Sequence, residues 1–245
     1  MSCNVLVLMS DNVEIIDCYG AEKCIEILNM NPSIRASKID IKHLQNLSLE
    51  IADVLIIAGG EPYQIRVQME GKGANAIRKF ISDGGGYIGI CAGAVLAIPK
   101  SPSLDLLQHV KTVNDNIWWE SGICGDIKLS SVFEDSNEEL STICSRFTSE
   151  NSFSYKNGPL FKIKCPKRKS STAPIPLATF VGPLFNTCDN IPQNLMNEID
   201  SSIAIIFGTY GNGSIIISSI HPEYDTKFSN SELLHEMCFS VMAKN

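Results

Sequence analysis

The chain is short of charge, of aromatic rings and of histidine. Charged residues make up 19% of its 245 positions and aromatic residues 7%, and there are four histidines. With 44% hydrophobic residues and so little charge, global disorder is excluded, because enough apolar surface is present to fill a core. Positive charge is the scarcer sign. The formal net charge is −7, so nucleic acid, which wants a basic face, is not an expected partner. No apolar run approaches the length that spans a bilayer, so no membrane partner is expected either. The opening residues Met1-Ser2-Cys3-Asn4-Val5-Leu6-Val7-Leu8-Met9 lack the basic region of a signal peptide and read as a first strand. The nine cysteines contain no Cys-x-x-Cys pair, which argues against structural zinc. Free thiols in a reducing cytoplasm are expected, with no metal and no cofactor. Neither an internal repeat nor a dividing linker is evident.

What is present is order along the chain. Asn4 to Met9 is a β-rich apolar run, and Tyr19 to Met30 has helical apolar spacing that Pro32 ends. A second strand is expected within Ile34 to Ile41, and a buried strand at Asp53 to Ala58, closed by Gly59-Gly60. Gln64 to Ile81 reads as a helix broken at Gly71-Lys72-Gly73. Alternating strands and helices of this kind predict a parallel sheet with helices on both faces, and a site beyond the carboxyl ends of its strands. Shorter strands are expected at Ile127 to Val132, Leu160 to Ile163 and Leu177 to Val181. Residues 133–152 and 165–200 read as looser inserted segments of one domain spanning 1–245; the second includes a basic surface loop at Cys165 to Thr172. Near the end, Ile203 to Thr209 and Ser214 to Ile220 form an antiparallel hairpin around Gly211-Asn212-Gly213. A closing helix is expected over Ser231 to Ala243, capped by Ser229 or Ser231.

The strongest chemical signal is Gly89-Ile90-Cys91-Ala92-Gly93, where the strand Tyr87 to Ile90 runs into a run of small residues. This is the cysteine form of a nucleophile elbow. Glycines two positions either side of the cysteine leave room for a sharp turn, and the sulfur is presented at a helix start, where N–H groups favour negative charge. A nucleophilic cysteine needs a base, and His221-Pro222-Glu223 follows the last strand. Histidine titrates near neutrality, and Pro222 holds His221 extended, which places Glu223 on the same side to accept the Nδ1 proton. His43, His109 and His235 have no such context, and His235 reads as structural. Acyl chemistry at Cys91 creates an oxyanion. The N–H groups of Ala92 and of Gly60, in the loop after Ala58, are the candidate donors. Gly59, Glu61, Tyr63, Tyr155 and Asn157 are candidate substrate-lining residues.

Together these segments resemble the class I glutamine amidotransferase-like superfamily, which includes the DJ-1/PfpI proteins. The finer resemblance is to the N-terminal domain of eukaryotic biotin–protein ligases. It is carried by Ala58-Gly59-Gly60-Glu61-Pro62-Tyr63, Ile77-Arg78-Lys79-Phe80, Gly85 to Ala94, Tyr155-Lys156-Asn157-Gly158-Pro159-Leu160-Phe161, and Gly211 to Ser214 leading to His221-Pro222-Glu223. The resemblance implies a flavodoxin-like three-layer α/β sandwich and a Cys-His-Glu triad at Cys91, His221 and Glu223. It implies an amide or acyl hydrolase, or an amidotransferase-like enzyme, acting on a small molecule. Two departures qualify it. The elbow continues Gly93-Ala94-Val95, without the Gly-His-Gln-like sequence that binds glutamine in true glutaminases. No Gly-Arg-Gly-Arg-like biotin loop is present, so biotin transfer by this chain itself is not expected. The alternatives are a catalytically inactive binding or regulatory module, acting on a protein such as a ligase in trans, and a DJ-1-like redox-sensing cysteine protein.

Overall fold

The computed structural model describes residues 2–11, 15–46, 49, 51–99, 103–113, 123–133, 137–164, 173–187, 193–200, 202–224 and 228–242. Its strands among these are β1 (Cys3–Met9), β2 (Ile34–Asp40), β3 (Val54–Ile57), β4 (Gly86–Ile90), β5 (Val110–Thr112), β6 (Cys124–Ser131), β7 (Phe153–Lys156), β8 (Phe161–Ile163), β9 (Ile175–Phe185), β10 (Ile203–Tyr210) and β11 (Gly213–Ser218). The helices are α1 (Cys18–Leu28), α2 (Pro62–Ser82), α3 (Ala92–Ala97), α4 (Glu138–Cys144), α5 (Gln193–Ile199) and α6 (Phe228–Val241). All the strands join one sheet, ordered β2-β1-β3-β4-β11-β10-β9-β6-β7, with β8 pairing β10 and β5 pairing β8.

The half from β2 to β11 is parallel throughout. Its strands are near-continuous aliphatic runs because both faces are covered. Helices α1, α4 and α6 pack together on one face, and α2 and α3 pack together on the other. This is the expected flavodoxin-like α/β sandwich. The hairpin is also as expected: β10 and β11 pair from Ile205↔Ser218 to Tyr210↔Gly213. From β10 outward the sheet is antiparallel. This wing curls back on itself, since Tyr155 in β7 bridges Ile220, two residues beyond β11. No helix among the described residues is long and apolar enough to cross a membrane.

Several expectations need correction. Residues 133–152 are not merely loose: Asn137 caps α4 by accepting from the Glu139 and Leu140 N–H groups (3.1 Å each). The helix buries Leu140, Ile143 and Cys144, and Arg146 pairs with Glu232 and Glu236 of α6. A helix of two turns carries too few apolar positions for periodicity to reveal it. Within 165–200, β9 runs on to Phe185 and α5 is regular. Pro176, Gly182 and Pro183 punctuate β9 and conceal its length, because such residues ordinarily interrupt strands. The basic loop at 165–172 lies outside the described residues. The α2 kink falls at Glu70 (φ 53°, ψ −172°), one residue before the predicted glycines. The closing helix already begins at Phe228, so Ser231 lies inside it and neither serine precedes it as a cap.

Candidate active site

Strand β4 delivers Cys91 to the carboxyl edge of the parallel half. Cys91 takes φ 52° and ψ −104°, a strained conformation for a residue with a side chain and the expected one for an elbow. The flanking glycines are required by contact. A Cβ on Gly93 would overlap the Ile57 carbonyl oxygen, and one on Gly89 would lie 2.5 Å from the Gly93 carbonyl oxygen. That close approach lets the Gly93 N–H donate to Ala58 O (3.2 Å), tying the elbow to the end of β3.

The neighbouring strand β11 leads to His221 at the same edge. His221 and Glu223 are each 2% exposed and Cys91 is 6% exposed, so all three are almost out of water. The His221 Nδ1 lies 2.7 Å from Glu223 Oε1. This contact is made differently from the expectation. Pro222–Tyr224 is a single 3₁₀ turn, so Glu223 folds back under the ring and does not alternate along an extended strand. The other ring nitrogen, Nε2, lies 3.0 Å from the Lys156 carbonyl oxygen. Burial acts against the imidazolium. The Glu223 charge, with hydrogen bonding to Cys91 and Glu223, outweighs it, and the His221 pKa stands well above its ordinary value. The second carboxylate oxygen, Oε2, is buried without a hydrogen-bond partner.

Cys91 and His221 open into one cavity of about 420 Å³, lined also by Asp17, Gly59, Gly60, Glu61, Lys156 and Asn157. Gly60 sits at φ 141°, a backbone only glycine adopts readily, with the Ile15 carbonyl where a Cβ would be. Among the described residues, neither the Gly60 nor the Ala92 N–H donates a backbone hydrogen bond, whereas those of Cys91, Gly93 and Glu61 do. Glu61 lines the cavity while its carboxylate caps α2 through the Gln64 N–H (2.6 Å). Asn157 lines it at φ 50°, and its Oδ1 is buried without a partner. The Cys91 Sγ lies 3.9 Å from the carbonyl oxygens of both Lys156 and Asn157.

Two sequence-selected residues do not line this cavity. Tyr63 stands on the exposed side of the first turn of α2, with 56% of its surface in water. Tyr155 is a core residue whose hydroxyl donates to Gly158 O (2.7 Å) and whose ring packs edge-on against Phe180. It borders instead a second cavity of about 420 Å³, with Asp126, Asn186 and Tyr224. His235 donates from Nε2 to the Ile27 carbonyl (2.8 Å), an inter-helix brace far from Cys91 in role.

Three residues at the site escaped the sequence reading: Asp17, Lys156 and Tyr224. Asp17 is the N-cap of α1 and accepts from the Gly20 N–H (3.1 Å), a signal that Asp before an apolar-periodic run provides. Tyr224 directly follows Glu223 in the chain. Lys156 acts through its main chain, for which a side-chain motif offers no signal.

Residues 20–100 match the family described as biotin-protein ligase, N terminal. No curated protein sequence matches the chain. Solved structures share the fold across nearly its whole length. A cytoplasmic protein of Salmonella typhimurium aligns with a TM-score of 0.61 at 13% identity, over 99% of this chain and 100% of the other. PurLQS from Thermotoga maritima aligns with a TM-score of 0.57 at 14% identity, over 98% and 99% of the two chains. A structure described as a glutamine amidotransferase aligns with a TM-score of 0.55 at 18% identity, over 96% and 98%. The chain therefore shares the fold of glutamine amidotransferase structures, and residues 20–100 match the biotin–protein ligase N-terminal family.

Proposed function

We propose that the chain is a cysteine-dependent amide or acyl hydrolase, or an amidotransferase-like enzyme, acting on a small molecule. The observation that carries this is the convergence of Cys91 with a buried His221–Glu223 pair in a single cavity. The Cys91 proton passes to His221 before attack, leaving a thiolate beside the imidazolium, and the Sγ then attacks the carbonyl carbon of an amide or ester. Glu223 holds the Nδ1 end of the ring. The carbonyl oxygen becomes an oxyanion that the Gly60 and Ala92 N–H groups receive. His221 then returns the proton to the leaving amine or alcohol, and water hydrolyses the thioester. Glu61 and Asn157 border the bound substrate. A cavity of this size suits a metabolite and is too small for a folded partner. The described cysteines are all free, which fits a reducing compartment such as the cytoplasm.

One observation favours a second reading. The His221 Nε2 is engaged by the Lys156 carbonyl, and the same carbonyl faces the sulfur. A relic site in a binding or regulatory module, acting on a protein partner in trans, would tolerate that closure permanently. The two readings are separated by alkylating the protein with iodoacetamide and following the Cys91 peptide by mass spectrometry. The His221→Ala variant is expected to slow Cys91 alkylation at neutral pH by about tenfold or more. An equal rate in both proteins overturns the catalytic reading. Following the individual peptide excludes the half-buried Cys18 and Cys124.

A further inference from the structure

The triad leaves unused Asp17, which lines the cavity, and Tyr224, which packs on His221, and the two are joined to each other. The Tyr224 ring lies nearly flat on the His221 ring, with centroids 5.1 Å apart and planes at 19°. Tyr19 stacks against Tyr224 in turn, at 5.9 Å and 19°. The Tyr224 hydroxyl donates to the Asp17 carboxylate. The other oxygen of that carboxylate is held by the Gly20 N–H at the start of α1. The Asp17 main chain donates to the Gly59 carbonyl (3.0 Å), and a Cβ on Gly59 would lie 3.5 Å from both Asp17 Cβ and His221 Cε1. Asp17 thus grips a helix start, the Gly59–Gly60 loop and the tyrosine that covers the imidazole.

The Glu223 and Lys156 contacts fix the two ring nitrogens of His221 but leave its plane free to tilt about the line joining them. An offset aromatic stack constrains the plane. We propose that Tyr224 and Asp17 are positioning residues for His221: Asp17 tethers the Tyr224 ring, Tyr224 sets the imidazole plane, and the main chain at position 17 holds the Gly59–Gly60 loop beside it. The coupling keeps the base and the oxyanion-side loop in register. This rests on the reading of Cys91 and His221 as nucleophile and base. The charged and titratable groups facing His221 are Glu223 on its own turn, Cys91 from the elbow, Lys156 from β7, and Asp17 and Tyr224; Cys24 of α1 stands behind Tyr224 and Glu223.

The test is the pH–rate profile of Cys91 alkylation by iodoacetamide in the full chain, for wild type, Tyr224→Leu, Tyr224→Phe, Asp17→Ala and His221→Ala. Tyr224→Leu removes the ring. It is expected to displace the profile midpoint of the coupled Cys91–His221 pair by about half a unit or more. Asp17→Ala is expected to displace it in the same direction. Tyr224→Phe keeps the ring and loses only the tether, so it is expected to displace the midpoint in the same direction as Asp17→Ala and by less than Tyr224→Leu. A merely structural role lowers the melting temperature of these variants and leaves the midpoint in place. If Tyr224→Leu does not fold, Tyr224→Phe and Asp17→Ala carry the test: both cut the tether and should move the midpoint together, and a midpoint moved by Asp17→Ala alone overturns the tether. Profiles of Tyr224→Leu and Asp17→Ala that superimpose on wild type, while that of His221→Ala departs, overturn the positioning role and leave the base intact. A His221→Ala profile that itself superimposes overturns the base, and the positioning role with it.

Discussion

His221 has oxygen at both ring nitrogens, the Glu223 carboxylate at Nδ1 and the Lys156 carbonyl at Nε2. A neutral imidazole donates through only one nitrogen, so two acceptors select the doubly protonated ring. The buried Glu223 charge reinforces the choice and raises the His221 pKa, against the opposing effect of burial. The linkage has a definite sign. With the folded value above the unfolded one near 6.5, the stabilisation is complete below about pH 6.5 and is lost as pH rises through the folded value. Thermal melts from about pH 5 to about pH 9 should therefore show wild-type stability falling through the upper part of that range. Glu223→Gln should flatten that fall while lowering stability at the acid end. Equal pH slopes in the two proteins would show that the pair is not charged. At this scale the sequence was informative where the chemistry is local. His221 and Glu223 are two residues apart, and their contact needs only one turn of chain. The partners of Nε2 and of the ring face come from Lys156 and Tyr224. The first of these could not be read, because a carbonyl oxygen is common to every residue type.

Among the elements, the elbow between β4 and α3 is held by backbone proximity. The Gly93 N–H reaches Ala58 O only because no Cβ separates α3 from β3. Gly93→Ala should force the elbow away from β3 and cost roughly 3 kcal/mol, at the upper end for overpacking a filled interior. Urea unfolding would measure it, and a loss under about 0.5 kcal/mol, the scale of an ordinary surface change, would contradict the contact. The parallel half was legible because its strands are uninterrupted aliphatic runs, such as Val54-Leu55-Ile56-Ile57, separated by helices of normal length. Glycine spacing also disclosed the elbow. The antiparallel wing was less legible for the opposite reason. Strand β9 carries two prolines and a glycine, β7 is four residues long, and α4 is seven. Their identities are decided by partners distant in sequence, as in the pairing of Leu129 with Phe180.

Across the whole molecule, the wing and the parallel half close on each other. Strand β10 joins them, pairing with β11 on one side and β9 on the other, and Tyr155 bridges Ile220 where the wing returns. The Ser154 carbonyl accepts the His221 N–H (2.8 Å), and Gly158 packs against the Ser219 backbone without room for a Cβ. The edge strand β7 and the interior strands β3, β4 and β11 thus build one cavity. The described parts of the segments read as loose insertions pack into the sheet and helix layer that carry the site, so calorimetry should show one unfolding transition whose calorimetric and van't Hoff enthalpies agree. Two separated transitions would mean that the wing melts alone. The carbonyl that β7 lends to His221 has a further consequence. Alanine scanning is blind to it, since every substitution at position 156 keeps that oxygen in place. Only an edit of the main chain itself reaches it: an ester in place of the amide between Lys156 and Asn157 would weaken the acceptor, and would also delete the N–H that anchors this segment to Ile123. The clasp on the imidazole is thus written in the polymer and not in the alphabet of its side chains.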